Sequence, residues 1–208
     1  MINPAICTAE TSTFVTANQL VGFCDADFAN DVETRKAHSG FAFLLNHAAM
    51  DWKSSQQRLV ASSSTESEYL ALSHCVKRAQ YLRHLLNFMD QPQTTPTPVL
   101  EDNAACICLC NNDSHEGRLK HLDVHLNNAR QHVARNTIAP YYVATAYQAA
   151  DYMTKAVSGE GMKRPNAILF GQDLTEWDNN KDMKKSESRY LVPEAPIKPK
   201  TGKNAAHQ

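Results

Sequence analysis

Four acidic residues stand where apolar patterns break off. Asp25 closes the run Leu20-Val21-Gly22-Phe23-Cys24, Glu68 heads a long helical pattern, Asp102 closes Val99-Leu100-Glu101, and Asp151 opens a late helical stretch. Read with a strand period of two, Val21, Phe23 and Asp25 share one face, so a carboxylate continues a row that should otherwise enter a core. An acid in such a row needs a partner, usually a base or a metal ion. Strand ends and helix starts of a mixed sheet can converge on one rim, where clustered carboxylates repel one another unless divalent cations stand between them. Mg²⁺ takes oxygen ligands and bridges phosphates, and two such ions about 3.5–4 Å apart serve an in-line phosphoryl displacement. Each acid also has a plain structural role. Asp25 with Asp27 can open a loop, Asp102 can cap the helix that follows it, and an acid in a first turn, as at Asp151, suits the helix dipole. Spacing alone leaves both possibilities standing.

The elements that must position these acids follow from the pattern. After the first strand, the polar stretch from Ala29 to His38 is a loop, and Ser39-Gly40 opens a second strand through Phe41-Ala42-Phe43-Leu44-Leu45. Asn46-His47 suits a turn, Ala48 to Trp52 runs back as part of a hairpin, and Gln57-Arg58-Leu59-Val60-Ala61 is expected as a third strand, giving an antiparallel meander. The serine run Ser62-Ser63-Ser64-Thr65 offers helix caps, with Ser64 and Ser67 or Thr65 and Glu68 at the capping-box spacing. The helix that follows, to about Met89, buries Leu72, Cys75, Ala79, Leu82 and Leu86 as one stripe, and one step back along that stripe lies Glu68. Glu66 is rotated by roughly 200° and is expected on the wetter side with Ser73 and Lys77. Gln91 to Pro98 is a proline-rich connector, Val99 to Asp102 a short strand, and Asn103 starts a helix through Cys110.

A second long helix is expected from Leu119, with Leu122, Leu126, Ala129 and Val133 in register. Around it stand Arg118, Lys120, His121, His125, Arg130, His132 and Arg135, a locally basic element suited to phosphate contact. His121 and His125 have the spacing of a helical metal pair, but no acid follows in the metalloprotease pattern, and a solvated basic face is the better reading. Ile138 to Val143 is a fifth strand whose Pro140 points to an edge or a strand start, and Gln148 to Ala156 is a short helix.

Length and composition bound the rest. The 208 residues make one domain with some excess, at 42% hydrophobic and 21% charged, an ordinary globular balance. No apolar run approaches the roughly 20 residues of a membrane span and no signal peptide opens the chain, so an intracellular protein without a membrane partner is expected. Six cysteines without CxxC spacing read as small buried hydrophobes, neither a zinc ribbon nor a disulfide framework. The net charge of −1 excludes nothing, since a carboxylate-built site lowers the sum while basicity can stay local. Expected boundaries are a lead-in over 1–19, a domain over 20–157, and a Gly-, Pro- and Lys-rich extension over 158–208 that is largely disordered.

Seven blocks, in order, resemble the ribonuclease H domain of copia-type LTR retrotransposon Pol polyproteins. They are Gly22-Phe23-Cys24-Asp25-Ala26-Asp27-Phe28-Ala29; Thr34-Arg35-Lys36 with Ser39-Gly40-Phe41; Trp52-Lys53-Ser54 with Gln56-Gln57; Ser63-Ser64-Thr65-Glu66-Ser67-Glu68-Tyr69; Glu101-Asp102-Asn103-Ala104-Ala105; Lys120-His121-Leu122-Asp123-Val124; and Ala150-Asp151-Tyr152-Met153-Thr154-Lys155. The resemblance implies an α/β ribonuclease H-like fold, a five-stranded mixed sheet with its first three strands antiparallel, flanked by helices. It implies Asp25, Glu68, Asp102 and Asp151 as catalytic metal ligands for two Mg²⁺ ions, with Mn²⁺ as the substitute. Asp27 and Glu66 match family positions outside the metal set. The implied activity is endonucleolytic hydrolysis of the RNA strand of RNA–DNA hybrids during reverse transcription, with water as nucleophile and a 3′-hydroxyl leaving group. The implied partners are the hybrid, met through Arg118, Lys120, His121 and Arg130, and a reverse transcriptase domain, in cytoplasm, virus-like particle or nucleus. Two departures stand out: Ala144-Thr145-Ala146-Tyr147 lacks the family's proline and acidic residues before Gln148, and Ala37-His38 replaces its Ser-Thr. The short lead-in fits a fragment or relic, and the alternative reading is an inactive relic that only binds nucleic acid.

Overall fold

The first strand, β1 (Leu20–Asp27), is buried along nearly its whole length and therefore occupies the centre of a sheet. The computed structural model describes residues 18–111, 123–156 and 159–171. Beside β1 lie β2 (His38–Leu45) and β3 (Ala48–Gln56) on one side, and β4 (Thr97–Glu101) and β5 (Ile138–Tyr142) on the other, in the order β3-β2-β1-β4-β5. β1, β2 and β3 pair antiparallel, while β4 and β5 run parallel to β1. The helices are α1 (Ser64–Phe88), α2 (Ala104–Asn111), α3 (Asp123–Ala134), α4 (Asp151–Thr154) and α5 (Gly159–Leu169). This is the five-stranded mixed sheet with an antiparallel first half that the resemblance implies.

Alternation along β1 divides the core in two. Leu20 and Cys24 face α1, α2 and α3, in a cluster with Phe43, Tyr69, Leu72, Val76, Leu82 and Leu86. Val21 and Phe23 face the opposite side, in a second cluster with Leu100, Ala150, Ala167, Ile168 and Leu169 from β4, α4 and α5. Each Leu, Ile or Phe removed from water in this way contributes about 1.5–3 kcal/mol. Gly22 has a packing role: a Cβ there would stand 2.7 Å from the Phe43 ring, which lies across it from the paired position of β2.

Three expectations from the sequence need correction. The third strand is Ala48–Gln56, not Gln57–Ala61. The hairpin carries a register irregularity between Phe43 and Leu44, and the strand it pairs is mostly polar and exposed because it forms a sheet edge, so hydrophobic alternation did not mark it. The α1 cap is Ser63, whose hydroxyl accepts from the Glu66 N–H, and not Ser64 or Thr65. The domain also does not close at residue 157: Ala167, Ile168 and Leu169 of α5 are buried in the second cluster. Other readings agree with the structure. The α1 stripe of Leu72, Cys75, Ala79, Leu82 and Leu86 is buried, and Pro140 lies in β5 at a sheet edge. No helix among the described residues is long and apolar enough to cross a membrane.

Candidate active site: a carboxylate rim

β1 ends on Asp25, Ala26 and Asp27, β4 ends on Glu101 with Asp102 immediately after it, and α1 begins beside both. Asp25, Glu68 and Asp102 each bring a carboxylate oxygen to one place, all within 4.8 Å of one another. Three different elements therefore supply one cluster. Asp25 and Glu68 are buried, at 1% and 7% exposure, and Asp102 is half-buried, so the cluster has a closed floor and one open flank. Glu68 Oε2 is buried and meets no hydrogen-bond donor. Three converging carboxylates, one with a buried oxygen left without a donor, could hold a hard divalent cation, which takes oxygen ligands at short range.

The plain alternative for Asp102 is settled by its neighbour. Asn103 Oδ1 accepts the Cys106 N–H at 3.1 Å, so Asn103 caps α2 and Asp102 is left to the rim. Thr145, in a 3₁₀ turn over Thr145–Tyr147, donates its hydroxyl to Asp102 Oδ2 at 2.7 Å and fixes that carboxylate from the far side. The departure from the family pattern at 144–147 thus still furnishes an orienting group. Beneath the rim, Glu101 is fully buried; its carboxylate accepts the Cys24 thiol at 3.2 Å and the Asn103 N–H at 3.1 Å, and burial holds it toward the neutral form.

α4 brings the fourth acid. Gln148 is fully buried and donates to the Cys24 carbonyl at 2.8 Å, one residue before Asp25, which anchors the start of this segment to β1. Gly40 pairs with Asp25 across the sheet, and a Cβ there would lie 2.5 Å from Met153 Cβ and 2.8 Å from Thr154 Cγ2. Only glycine lets α4 settle this close to β2. On the other side, Ser54 of β3 donates its hydroxyl to the Met153 carbonyl at 2.5 Å. Held in this way, Thr154 donates its hydroxyl to Asp25 Oδ2. Lys155 places its ammonium 2.7 Å from Asp151 Oδ1 and 3.5 Å from Asp25. Asp151 is therefore joined to the rim through Lys155 and is not a member of the three-carboxylate cluster itself.

Electrostatics follow from this crowding. Burial pushes Glu68 up to about 9, with Asp25 and Asp102 adding to the effect and the Ala26 N–H and Lys155 opposing it. Burial likewise raises Asp25 to about 6; the Thr154 hydroxyl and Lys155 pull it down while Asp151 and Asp102 push it up. Burial alone would lower the Lys155 pKa, but the hydrogen bond to Asp151 and the charge of Asp25 outweigh it and the ammonium is held firmly protonated. Burial and the neighbouring carboxylates thus favour the neutral form of Glu68.

The other site expectations fare differently. Glu66 lies away from the acid cluster as expected, yet it is buried, not wet: its carboxylate accepts the Ser62 N–H at 2.8 Å and the Ser62 hydroxyl. Arg118, Lys120 and His121 lie outside the described residues. Arg130 is half-buried and donates Nε to the Leu109 carbonyl at 2.9 Å, packing α3 on α2, and its Nη2 is buried too, so this side chain does not form an open basic face. His132 is buried as well, and burial with nearby Arg135 holds its pKa down. Of the residues that act on the acids, sequence reasoning gave no separate role to Gly40, Thr145, Thr154 or Lys155. The signal for the last two was their place beside Asp151 in a motif block.

The chain matches a stretch of the retrovirus-related Pol polyprotein from transposon TNT 1-94 of Nicotiana tabacum, with 33% identity over 138 residues, 66% of this chain. Pol polyproteins of Arabidopsis thaliana transposons match at a similar level. The chain is a homologue of plant-transposon Pol polyproteins. It spans 10% of the tobacco polyprotein's length. A shorter match joins this Pol homologue to the secreted RxLR effector protein 161 of Plasmopara viticola, 52% identical over 64 residues, or 31% of this chain and 45% of that one. No family model matches. Among solved structures, the N-terminal RNase H domain of Rv2228c from Mycobacterium tuberculosis superposes with a TM-score of 0.49 at 14% identity, covering 71% of this chain and 95% of that one. The strand order and the antiparallel-then-parallel pairing of the Pol homologue are those of a ribonuclease H-like fold.

Proposed function

We propose that the chain is a ribonuclease H-type hydrolase of the copia type that cuts the RNA strand of RNA–DNA hybrids, using divalent cations, Mg²⁺ or Mn²⁺, at the carboxylate rim. The observation that carries this reading is the convergence of Asp25, Glu68 and Asp102 from three elements, with a buried Glu68 oxygen left unpartnered. Asp25, Glu68 and Asp102 would hold one cation, and Asp25 with Asp151 a second. Such ions activate a water and neutralise charge on the phosphoryl oxygens and the leaving oxygen. The chain's own groups do the positioning: Thr154 and Lys155 orient Asp25, Thr145 orients Asp102, and Glu101, which burial pushes toward its neutral form, lies beneath them. In the reaction, water adds to phosphorus, the P–O3′ bond breaks, and the departing 3′ oxygen takes up a proton, leaving a 5′-phosphate. The homology to Pol polyproteins supports a role beside a reverse transcriptase, in the cytoplasm, a virus-like particle or the nucleus. The basic segment holding Arg118, Lys120 and His121 is the candidate to meet the substrate backbone.

The test is incubation of the purified chain with end-labelled RNA–DNA hybrid, RNA duplex and DNA duplex, in Mg²⁺, Mn²⁺ or EDTA. Cleavage confined to the RNA strand of the hybrid and abolished by EDTA is the expected outcome. Retention of hybrid without cutting under all conditions would instead support a nucleic-acid-binding relic.

A further inference from the structure

Among the described residues, Lys155 places an ammonium at the rim. Its ammonium stands 2.7 Å from Asp151 Oδ1 and 3.5 Å from each oxygen of Asp25, spanning the gap between the two acids. Three features built from distant parts of the chain hold it there. Gly40 of β2 permits the approach of α4, Ser54 of β3 holds the Met153 carbonyl, and Gln148 anchors the preceding turn to β1. Thr154, the residue before Lys155, occupies one oxygen of Asp25 with its hydroxyl. The side chain is not a loose surface lysine: about a third of it is exposed, while Asp25 beneath it is at 1%.

The two halves of the rim therefore differ. On one side, Asp25, Glu68 and Asp102 form a cluster with an unpartnered buried oxygen on Glu68; on the other, the gap between Asp25 and Asp151 is filled by the Lys155 ammonium, 2.7 Å from Asp151 and 3.5 Å from Asp25. We propose that Lys155 is a positioning residue that acts as a built-in counter-ion. It occupies the second cation position between Asp25 and Asp151 and makes loading of that position conditional on its displacement. The proposal rests on the reading of the rim as a divalent-cation site. Its consequence is ordered binding: a first ion enters the three-carboxylate cluster, and the second enters against the ammonium.

The test is titration of the intact chain with Mn²⁺, followed by calorimetry and by the loss of the free-ion spin-resonance signal, for wild type, Lys155→Met and Lys155→Arg. Thermal melting in EDTA is measured in parallel. Removing one unit charge a few ångström from a bound ion should tighten the weaker site by about tenfold. The expected result is thus one readily bound ion in wild type, a second bound about tenfold more tightly in Lys155→Met, and wild-type behaviour in Lys155→Arg, with Lys155→Met melting lower in EDTA because two acids lose their counter-ion. If Lys155→Met folds and binds Mn²⁺ with wild-type stoichiometry and affinity, the counter-ion role is overturned while the cation site itself stands. If neither wild type nor Lys155→Met binds Mn²⁺, the cation-site reading fails and the proposal falls with it.

Discussion

Glu66 and Glu68 stand two residues apart at the head of α1, both buried, and only one faces the acid cluster. The difference is one of partners: Glu66 accepts from Ser62 while Glu68 Oε2 has no donor. Glu68→Gln removes a ligand charge and should lower the cleavage rate by about a thousandfold or more, a transition-state loss on the order of 4 kcal/mol. Glu66→Gln should cost about 1 kcal/mol of stability through the weakened helix start and leave the rate within a few fold. Paired rate and melting measurements separate the two, and the reverse pattern would place the metal ligand at Glu66. A pH dependence belongs to the same scale. Glu68 and Asp25 have folded values near 9 and 6 against ordinary values of 4.5 and 3.8, so the folded chain binds more protons than the unfolded chain between those limits. Their contribution is fully present below about pH 4 and is lost as pH rises through 6 and then 9. In EDTA the melting temperature should therefore fall over that range, and saturating Mg²⁺ should flatten the decline. The face of Glu68 was legible in the sequence because it continues an apolar stripe. The burial of Glu66 was not, because it depends on Ser62 folding back over the first turn, which a helical projection does not contain.

The strands and helices that carry the acids were legible where hydrophobic pattern and burial coincide, as in β1 and α1, and illegible where an element is short or lies at an edge. α4 runs only from Asp151 to Thr154, and its position is set by contacts from β1, β2 and β3 that no local pattern encodes. β3 was misplaced because an edge strand with one polar side has little alternation to read. The element that matters most to the rim is thus the one that sequence described least. Gly40→Ala tests this: the added methyl meets Met153 and Thr154 at contact distances that force α4 outward. A loss of about 1–3 kcal/mol in stability is expected, together with weaker Mn²⁺ binding, as Thr154, Lys155 and Asp151 retreat from Asp25. Unchanged metal binding in a variant that melts lower would show that α4 contributes to packing alone.

Across the described residues, β1, β2 and β4 each send alternate side chains into both core clusters on opposite faces of the sheet, and the acid rim lies at the end of β1. α5 closes the second cluster with Ala167, Ile168 and Leu169, although the composition after Ser158 read as an extension outside the domain. Its Pro165 and the nearby glycines masked a buried apolar face that only becomes apparent once α4 and β1 are in place. A chain ending at Gly171 keeps these buried residues, and one ending at residue 157 loses them. The shorter chain should melt at least several degrees lower, in keeping with a loss of a few kcal/mol from three buried side chains. Equal melting of the two truncations would restore the boundary at 157. The central claim, that the rim is a hydrolytic centre, is tested most directly by single-turnover cleavage of an RNA–DNA hybrid in Mg²⁺ by wild type and Asp102→Asn, with hybrid affinity measured on the same preparations. The account predicts that wild type cuts the RNA strand and that Asp102→Asn is slower by about a thousandfold while binding the hybrid within a few fold of wild type. Equal cutting by the two proteins would contradict it and return Asp102 to the role of a loop residue held by Thr145.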